Sequence, residues 1–242
     1  MNEMTFNLLF VAGIGAAIAI VFSVPRLISK SRGKKIIEQG TLLGLVHNPA
    51  VKVIPDHFRT EPFLLFSTSP VTAGEEVRPI PIKNALEGVL DGKSVLIGDF
   101  RMIIPREADI QETIVLLKHE ALSLPRFALT PRKQKKERFT MRLRTALNEF
   151  VSGVTHRYQK IEELPIDGYT LKSPVADKNR VINLFQGKIG SYFANNQGFT
   201  VEGSRDMILC YRRDHLLSPA ELGPFVQEVL LIADLFIKAM PC

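Results

Sequence analysis

The stretch IKNALEGVLDGKSVLIGDFRMII, residues 82–104, decides the fold. Two extended apolar runs flank Asp91-Gly92, and that dipeptide accepts the positive φ angles of a tight two-residue turn. A β-hairpin follows, and with it an antiparallel sheet rather than strands separated by crossover helices. Working outward, PFLLFST (62–68), ETIVLLKHE (112–120) and LPRFALT (124–130) have the length and composition of further strands. The β-rich segment therefore spans about residues 60–130.

Helical signals take over downstream. Leu143, Leu147, Phe150, Val154, Tyr158 and Ile161 recur at steps of three and four, the stripe of an amphipathic helix. After LPIDGYTLKSP, a second helix from about Asp177 places Val181, Phe185, Ile189 and Tyr192 on one side and closes at NNQG. GFTVEGSRDMILCYRR reads as a strand, a turn over Gly203-Ser204, and a strand. The last helix opens with SPAE: Ser218 as N-cap, Pro219 at the first helical position and Glu221 closing a capping box. Leu222, Phe225, Val226, Val229, Leu230, Ala233, Phe236 and Ile237 give that helix a broad buried face.

Residues 6–24, FNLLFVAGIGAAIAIVFSV, contain no ionisable side chain, and about 20 such residues cross a bilayer core. Glu3 precedes this run and the positive charge follows it. That order disfavours a cleaved signal peptide and predicts an N-terminus outside with the body in the cytoplasm. Ala12 and Ala16, Gly13 and Ala17, and Gly15 and Ala19 are each four apart, a small-residue face suited to packing against another membrane helix. After Pro25, Leu27, Ile28, Ile36 and Ile37 are expected on an interfacial helix, with Arg26, Lys30, Arg32, Lys34 and Lys35 meeting anionic head groups.

The fold class expected is thus α+β: a single N-terminal transmembrane helix, then a cytoplasmic body of antiparallel sheet and amphipathic helices. Its parts are an anchor and basic juxtamembrane segment (1–38), a β-rich subdomain (39–130), a basic linker and helix (131–162) and an α+β subdomain (163–242). The expected location is the cell inner membrane, single-pass.

Charge is concentrated. Residues 26–35 hold +5 and residues 132–144 hold +6, so with +6 overall the remainder stands at −5. The second patch consists of Arg132, Lys133, Lys135, Lys136, Arg138, Arg142 and Arg144 around Glu137. It suits a solvated linker, a contact with a membrane surface or partner, or a nucleic-acid patch; Phe139, Met141 and Leu143 among the charges favour an interface. Without an aromatic-rich binding motif, no nucleic-acid partner is expected. Cys210 and Cys242 make no disulfide framework, and the five histidines show no ligand spacing. QGKIGS lacks the upstream glycine and the Ser or Thr of a phosphate loop, and VEGSRD lacks the GxSxG of a nucleophile elbow. No catalytic residue, cofactor or metal is expected.

The pieces NALEGVLDGKSVLIGDFR, TIVLL followed by LPRFALTP, and GFTVEGSRDMILCYRR resemble a family of uncharacterised bacterial membrane-anchored proteins across residues 40–238. That resemblance implies the domain and no reaction. Arg132 and the basic run stand where the family carries an acidic residue after LTP, which implies a contact particular to this chain. The layout is also similar to that of H-type subunits of photosynthetic reaction centres, implying a helix in the membrane and a domain capping a multi-helix partner. The function expected is a non-enzymatic accessory or scaffold subunit of a bacterial membrane complex, with a multi-helix membrane protein and anionic lipid head groups as partners. The alternatives are a membrane-tethered small-molecule sensor or enzyme, and a protein whose main role is to bind anionic lipid surfaces.

Overall fold

The computed structural model describes residues 31–58, 63, 81–102, 110–132 and 158–240. A helix at 31–42 (α1) leads into β1 (Val46–His47), followed by β2 (Ile82–Leu90), β3 (Lys93–Met102), β4 (Ile110–Lys118) and β5 (Leu124–Pro131). Then come β6 (Gln159–Lys160), β7 (Tyr169–Ser173), α2 (Lys178–Phe185), α3 (Lys188–Asn195), β8 (Thr200–Arg205), β9 (Met207–Tyr211) and α4 (Pro219–Ala239). All nine strands join one sheet in the order β1-β2-β3-β4-β9-β8-β5-β7-β6. Every neighbouring pair is antiparallel.

The β2–β3 hairpin is as the sequence predicts. Leu90 pairs with Lys93 across Asp91 and Gly92, which take φ angles of 48° and 76°. Alternation then sorts the side chains. Val95, Ile97, Val115, Leu117, Ile208 and Cys210 face one way and form a core with Val181, Phe185, Ile189 and Phe193 of α2 and α3 and with the α4 face from Leu222 to Phe236. Phe127, Phe185 and Phe236 meet there with ring centroids 4.9–5.9 Å apart. On the opposite face Leu96, Ile114, Leu116, Leu209 and Tyr211 pack with Ile54, Phe58 and Phe63 in a second cluster.

The α+β expectation is corrected in several places. The described residues form mostly one large antiparallel sheet with few helices. Among them no helix is long and apolar enough to cross a membrane, so the single-pass span and the inner-membrane location drawn from it are not supported. Residues 6–24, including Ala12, Gly13, Gly15, Ala16, Ala17 and Ala19, lie outside the described residues, as do Arg26, Lys30 and 133–144. The long helix α4 is a core element that carries Glu221, Glu228, Asp234 and Lys238.

α1 is not an interfacial helix at Ile36, whose side chain is buried in the first core cluster. Gly33, Ile36 and Gly40 form the buried edge of α1, and a Cβ on Gly40 would lie 2.4 Å from Leu86 Cδ1, so the helix rests directly on β2. The amphipathic stripe predicted through Ile161 does not extend that far as helix: Gln159–Lys160 is the edge strand β6, and Ile161 is buried in the core beyond it. The helix from Asp177 is two helices, broken at Gly187 with φ 76°. The apolar stripe runs across the break because both pieces cover the same core. The β8–β9 turn falls at Arg205-Asp206, since Ser204 already pairs with Met207. Gly203 lies within β8 where the Phe127 ring covers it, and a Cβ would stand 2.2 Å from Phe127 Cε1.

Candidate functional site

A pocket of about 320 Å³ opens beside β5, lined by Leu124, Arg126, Asp177, Arg180, Ser204 and Arg205. Three chain segments converge on it: β5, the start of α2 and the β8–β9 turn. β5 and β8 shift register between Leu124 and Phe127, so Leu124 pairs with Arg205 while Phe127 pairs with Gly203. Such an irregularity bends the strand locally and re-aims its side chains. Arg126 Nε donates to Asp177 Oδ2 at 3.2 Å. Arg180 lies 3.7 Å from Asp177 Oδ1 and donates to the Ser123 carbonyl at 3.3 Å. Ser204 is buried, and its hydroxyl has no hydrogen-bond partner among the described residues.

On the face of the sheet that carries Leu209 and Tyr211 the floor is polar. Ala128 pairs with Glu202 on one side and with Lys172 on the other, so Glu202 and Lys172 point to the face that carries Leu209. Glu202 is buried and accepts a hydrogen bond from the Tyr211 hydroxyl at 2.9 Å. Burial, then the charges of Glu202 and Glu112, raise the Tyr211 pKa well above its ordinary value, so the phenol remains a donor. Lys172 is pushed down, first by burial and then by Arg213. Thr130, Thr200 and Glu112 are also buried, and Glu112 accepts from the Asp214 amide at 3.1 Å. Burying this many polar groups costs stability unless they are paired, so the floor is an unusual feature for a sheet otherwise sealed by aliphatic residues.

Arg32 does not face head groups. Its guanidinium forms a two-pronged pair with Asp99 at 2.6 and 3.1 Å and donates to Thr113 and the Leu217 carbonyl. Asn84 and Thr113 complete the node by donating to Asp99 at 2.7 and 2.8 Å. Lys34 and Lys35 are exposed on the outer side of α1. Arg132, just past β5, folds back so that its Nε donates to the Tyr169 carbonyl at 2.6 Å. The sequence-predicted basic residues that are described therefore divide between internal ties and the outer surface of α1.

The histidines are dispersed. His47 Nδ1 lies 2.9 Å from the Ala85 carbonyl, His119 caps the Ala121 amide, and His215 sits 3.1 Å from Glu221. Among the described residues no group of three His, Cys, Asp or Glu is placed to hold a metal. Cys210 is buried, and burial followed by the Glu202 charge pushes its thiol up, away from the reactive thiolate. The arginine pocket was missed in the sequence. Arg126, Arg180 and Arg205 each stand alone in their local stretch, and only the strand order assembles them.

No family model matches the chain, and no curated protein matches it. Among solved structures, the crystal structure of the mycobacterial trehalose monomycolate transport factor A is similar, with a TM-score of 0.56 at 13% identity. The likeness covers 86% of this chain and 96% of that one, so the fold is shared over nearly the whole of the solved chain. The reaction-centre analogy and the scaffold-subunit expectation find no support: the neighbour is a transport factor, and no described helix reproduces the anchoring span.

Proposed function

We propose that this chain is a non-enzymatic accessory factor in lipid transport, acting at a membrane surface by binding rather than by turnover. The observation that carries this reading is the fold shared with a transport factor whose cargo, by its name, is a lipid. The site chemistry is consistent with it. The pocket is lined by arginines and one carboxylate, Asp177, with no nucleophile, base and orienting group assembled among its described residues. The surface near α1 suits a membrane boundary: Lys34 and Lys35 are exposed on the helix, and Leu42 and Val46 are exposed where it runs into β1. A multi-helix membrane protein remains the partner class we favour, since an accessory factor without a turnover site works through the carrier it serves.

The test is genetic and chemical together. Depleting the chain in its own cell should leave total lipid synthesis unchanged but shift one lipid class between membrane fractions, read by mass spectrometry. Co-purification in mild detergent should then return a multi-helix membrane protein. An unchanged lipid distribution, with a soluble metabolite accumulating instead, would overturn the proposal in favour of an enzyme.

A further inference from the structure

We infer that α1 is a detachable clasp: it lifts from the sheet as a unit, hinged at Gly44 and latched by Arg32, while the sheet and α4 stay folded. The inference is independent of the lipid-transport reading. Of the twelve residues 31–42 seven are exposed, and Ile36 is the one apolar side chain among them that is buried. The other two buried positions, Gly33 and Gly40, bring only backbone against β2. By contrast α4 buries eight apolar residues. Little apolar area therefore holds α1 down, and segments of that kind open at the low end of a protein's range of free energies.

What holds the helix instead is concentrated at one end. Arg32 donates to Asp99 on β3 at 2.6 and 3.1 Å, to Thr113 on β4 at 3.1 Å, and to the Leu217 carbonyl just before α4 at 2.9 and 2.7 Å. A guanidinium fork is charge-assisted and directional, so it is either made or broken. At the other end Gly44 takes φ 84°, is exposed and has open space around it, while Leu45 beyond it is buried. Latch and hinge thus stand about 18 Å apart along the helix. The socket is organised without the latch. Asp99 keeps its hydrogen bonds from Asn84 and Thr113 at 2.7 and 2.8 Å, and Thr113 keeps that from the Leu217 amide at 3.0 Å. With α1 lifted, water reaches the Asp99 carboxylate and solvates the charge left behind. Residues 1–30 join the body along the chain through α1, so a pull or a binding event there acts on the latch, and through Leu217 on the approach to the Ser218 cap.

The experiment is native-state hydrogen exchange of the full-length chain in urea below its unfolding transition. The amides of Ile36, Ile37 and Gly40 should exchange through one shared opening, about tenfold or more faster than those of β8 and with a smaller urea dependence. Two variants separate the clasp from the body. Arg32→Lys keeps the charge but loses the fork, and should speed exchange in α1 about tenfold. Ile208→Val thins the core under β9, away from α1, and should speed exchange in β8 several-fold while leaving α1 as in the parent, because the sheet stays intact when the clasp opens. Exchange of α1 in step with β8 in all three proteins overturns the inference, since the helix would then leave only on global unfolding. Exchange that slows gradually inward from residue 31 and ignores Arg32→Lys overturns it as well, since that is fraying and not the release of a latch.

Discussion

Asp99 gathers Arg32, Asn84 and Thr113 from three separated parts of the chain, and so fastens α1 to the sheet. The β2 irregularity between Lys83 and Leu86, with Asn84 at φ 51°, is what turns the Asn84 amide toward Asp99. Both partners of the ion pair are largely shielded, at 18% and 11% side-chain exposure, so removing one leaves an uncompensated charge. Asp99→Ala should lower unfolding free energy by roughly 3–5 kcal/mol in urea titration, whereas Thr113→Val, which loses hydrogen bonds to Asp99, Arg32 and the Leu217 amide but leaves the ion pair in place, should cost less, about 2 kcal/mol. Equal effects would show that the charge pair does not hold the node. None of this was legible in sequence, where Arg32 is one of five basic residues after an apolar run and reads as a head-group contact. Gly203 is a second residue whose role is set by its neighbour. With Phe127 over it, Gly203→Ala should destabilise by about 1–3 kcal/mol through overpacking, and the smaller side chain of Phe127→Leu should recover part of that loss in the double variant.

At the scale of elements, legibility followed local chemistry. The β2–β3 hairpin was readable because Asp91-Gly92 carries its turn within two residues, and α4 because its cap, its proline and its apolar stripe all agree. α1 was misread because two of its three buried positions, Gly33 and Gly40, have no side chain to register as hydrophobic. The break at Gly187 was hidden by a continuous stripe, and the arginine pocket by the distance along the chain between its parts. The α4 cap yields a pH prediction. Glu221 accepts from the Ser218 amide at 2.8 Å, and this hydrogen bonding to Ser218, aided by His215, holds its carboxyl at about 2 instead of the ordinary 4.5. A carboxylate depressed in the folded state contributes stability that is fully present above the unfolded pKa and is lost as pH falls through the folded one. Glu221→Gln should therefore lower stability by about 1 kcal/mol at neutral pH. The difference from the parent should close between pH 4.5 and 2, as followed by thermal melts. A gap that stays constant to pH 2 would mean the cap works without its charge.

The whole molecule is held together by pairings that ignore chain order. β4 and β5 are consecutive, yet β9 and β8 lie between them, and β5 receives β8 on one side and β7 on the other. Each of those neighbours comes from beyond residue 158, and the helices α2, α3 and α4 that cover the main core come from there too. A fragment ending at residue 132 would keep the β2-β3-β4 meander but leave one edge of β4 and both edges of β5 unpaired, with their apolar face uncovered. Unpaired edges of that kind aggregate rather than fold. Residues 31–132 expressed alone should accordingly be insoluble or lack cooperative melting. Residues 31–240 should unfold in one urea transition, with far-ultraviolet dichroism and hydrogen exchange of β3 and β8 giving the same midpoint. The chain contains no tryptophan, so these probes replace intrinsic indole fluorescence. Long-range strand pairing also predicts slow folding, on the millisecond-to-second scale, because loop closure must precede the contacts that reward it. If β3 exchanged at a lower urea concentration than β8, the two ends of the sheet would be separate cooperative units. The pocket between β5, β8 and α2 would then belong to the later one alone, and could open without unfolding the hairpin that begins the sheet.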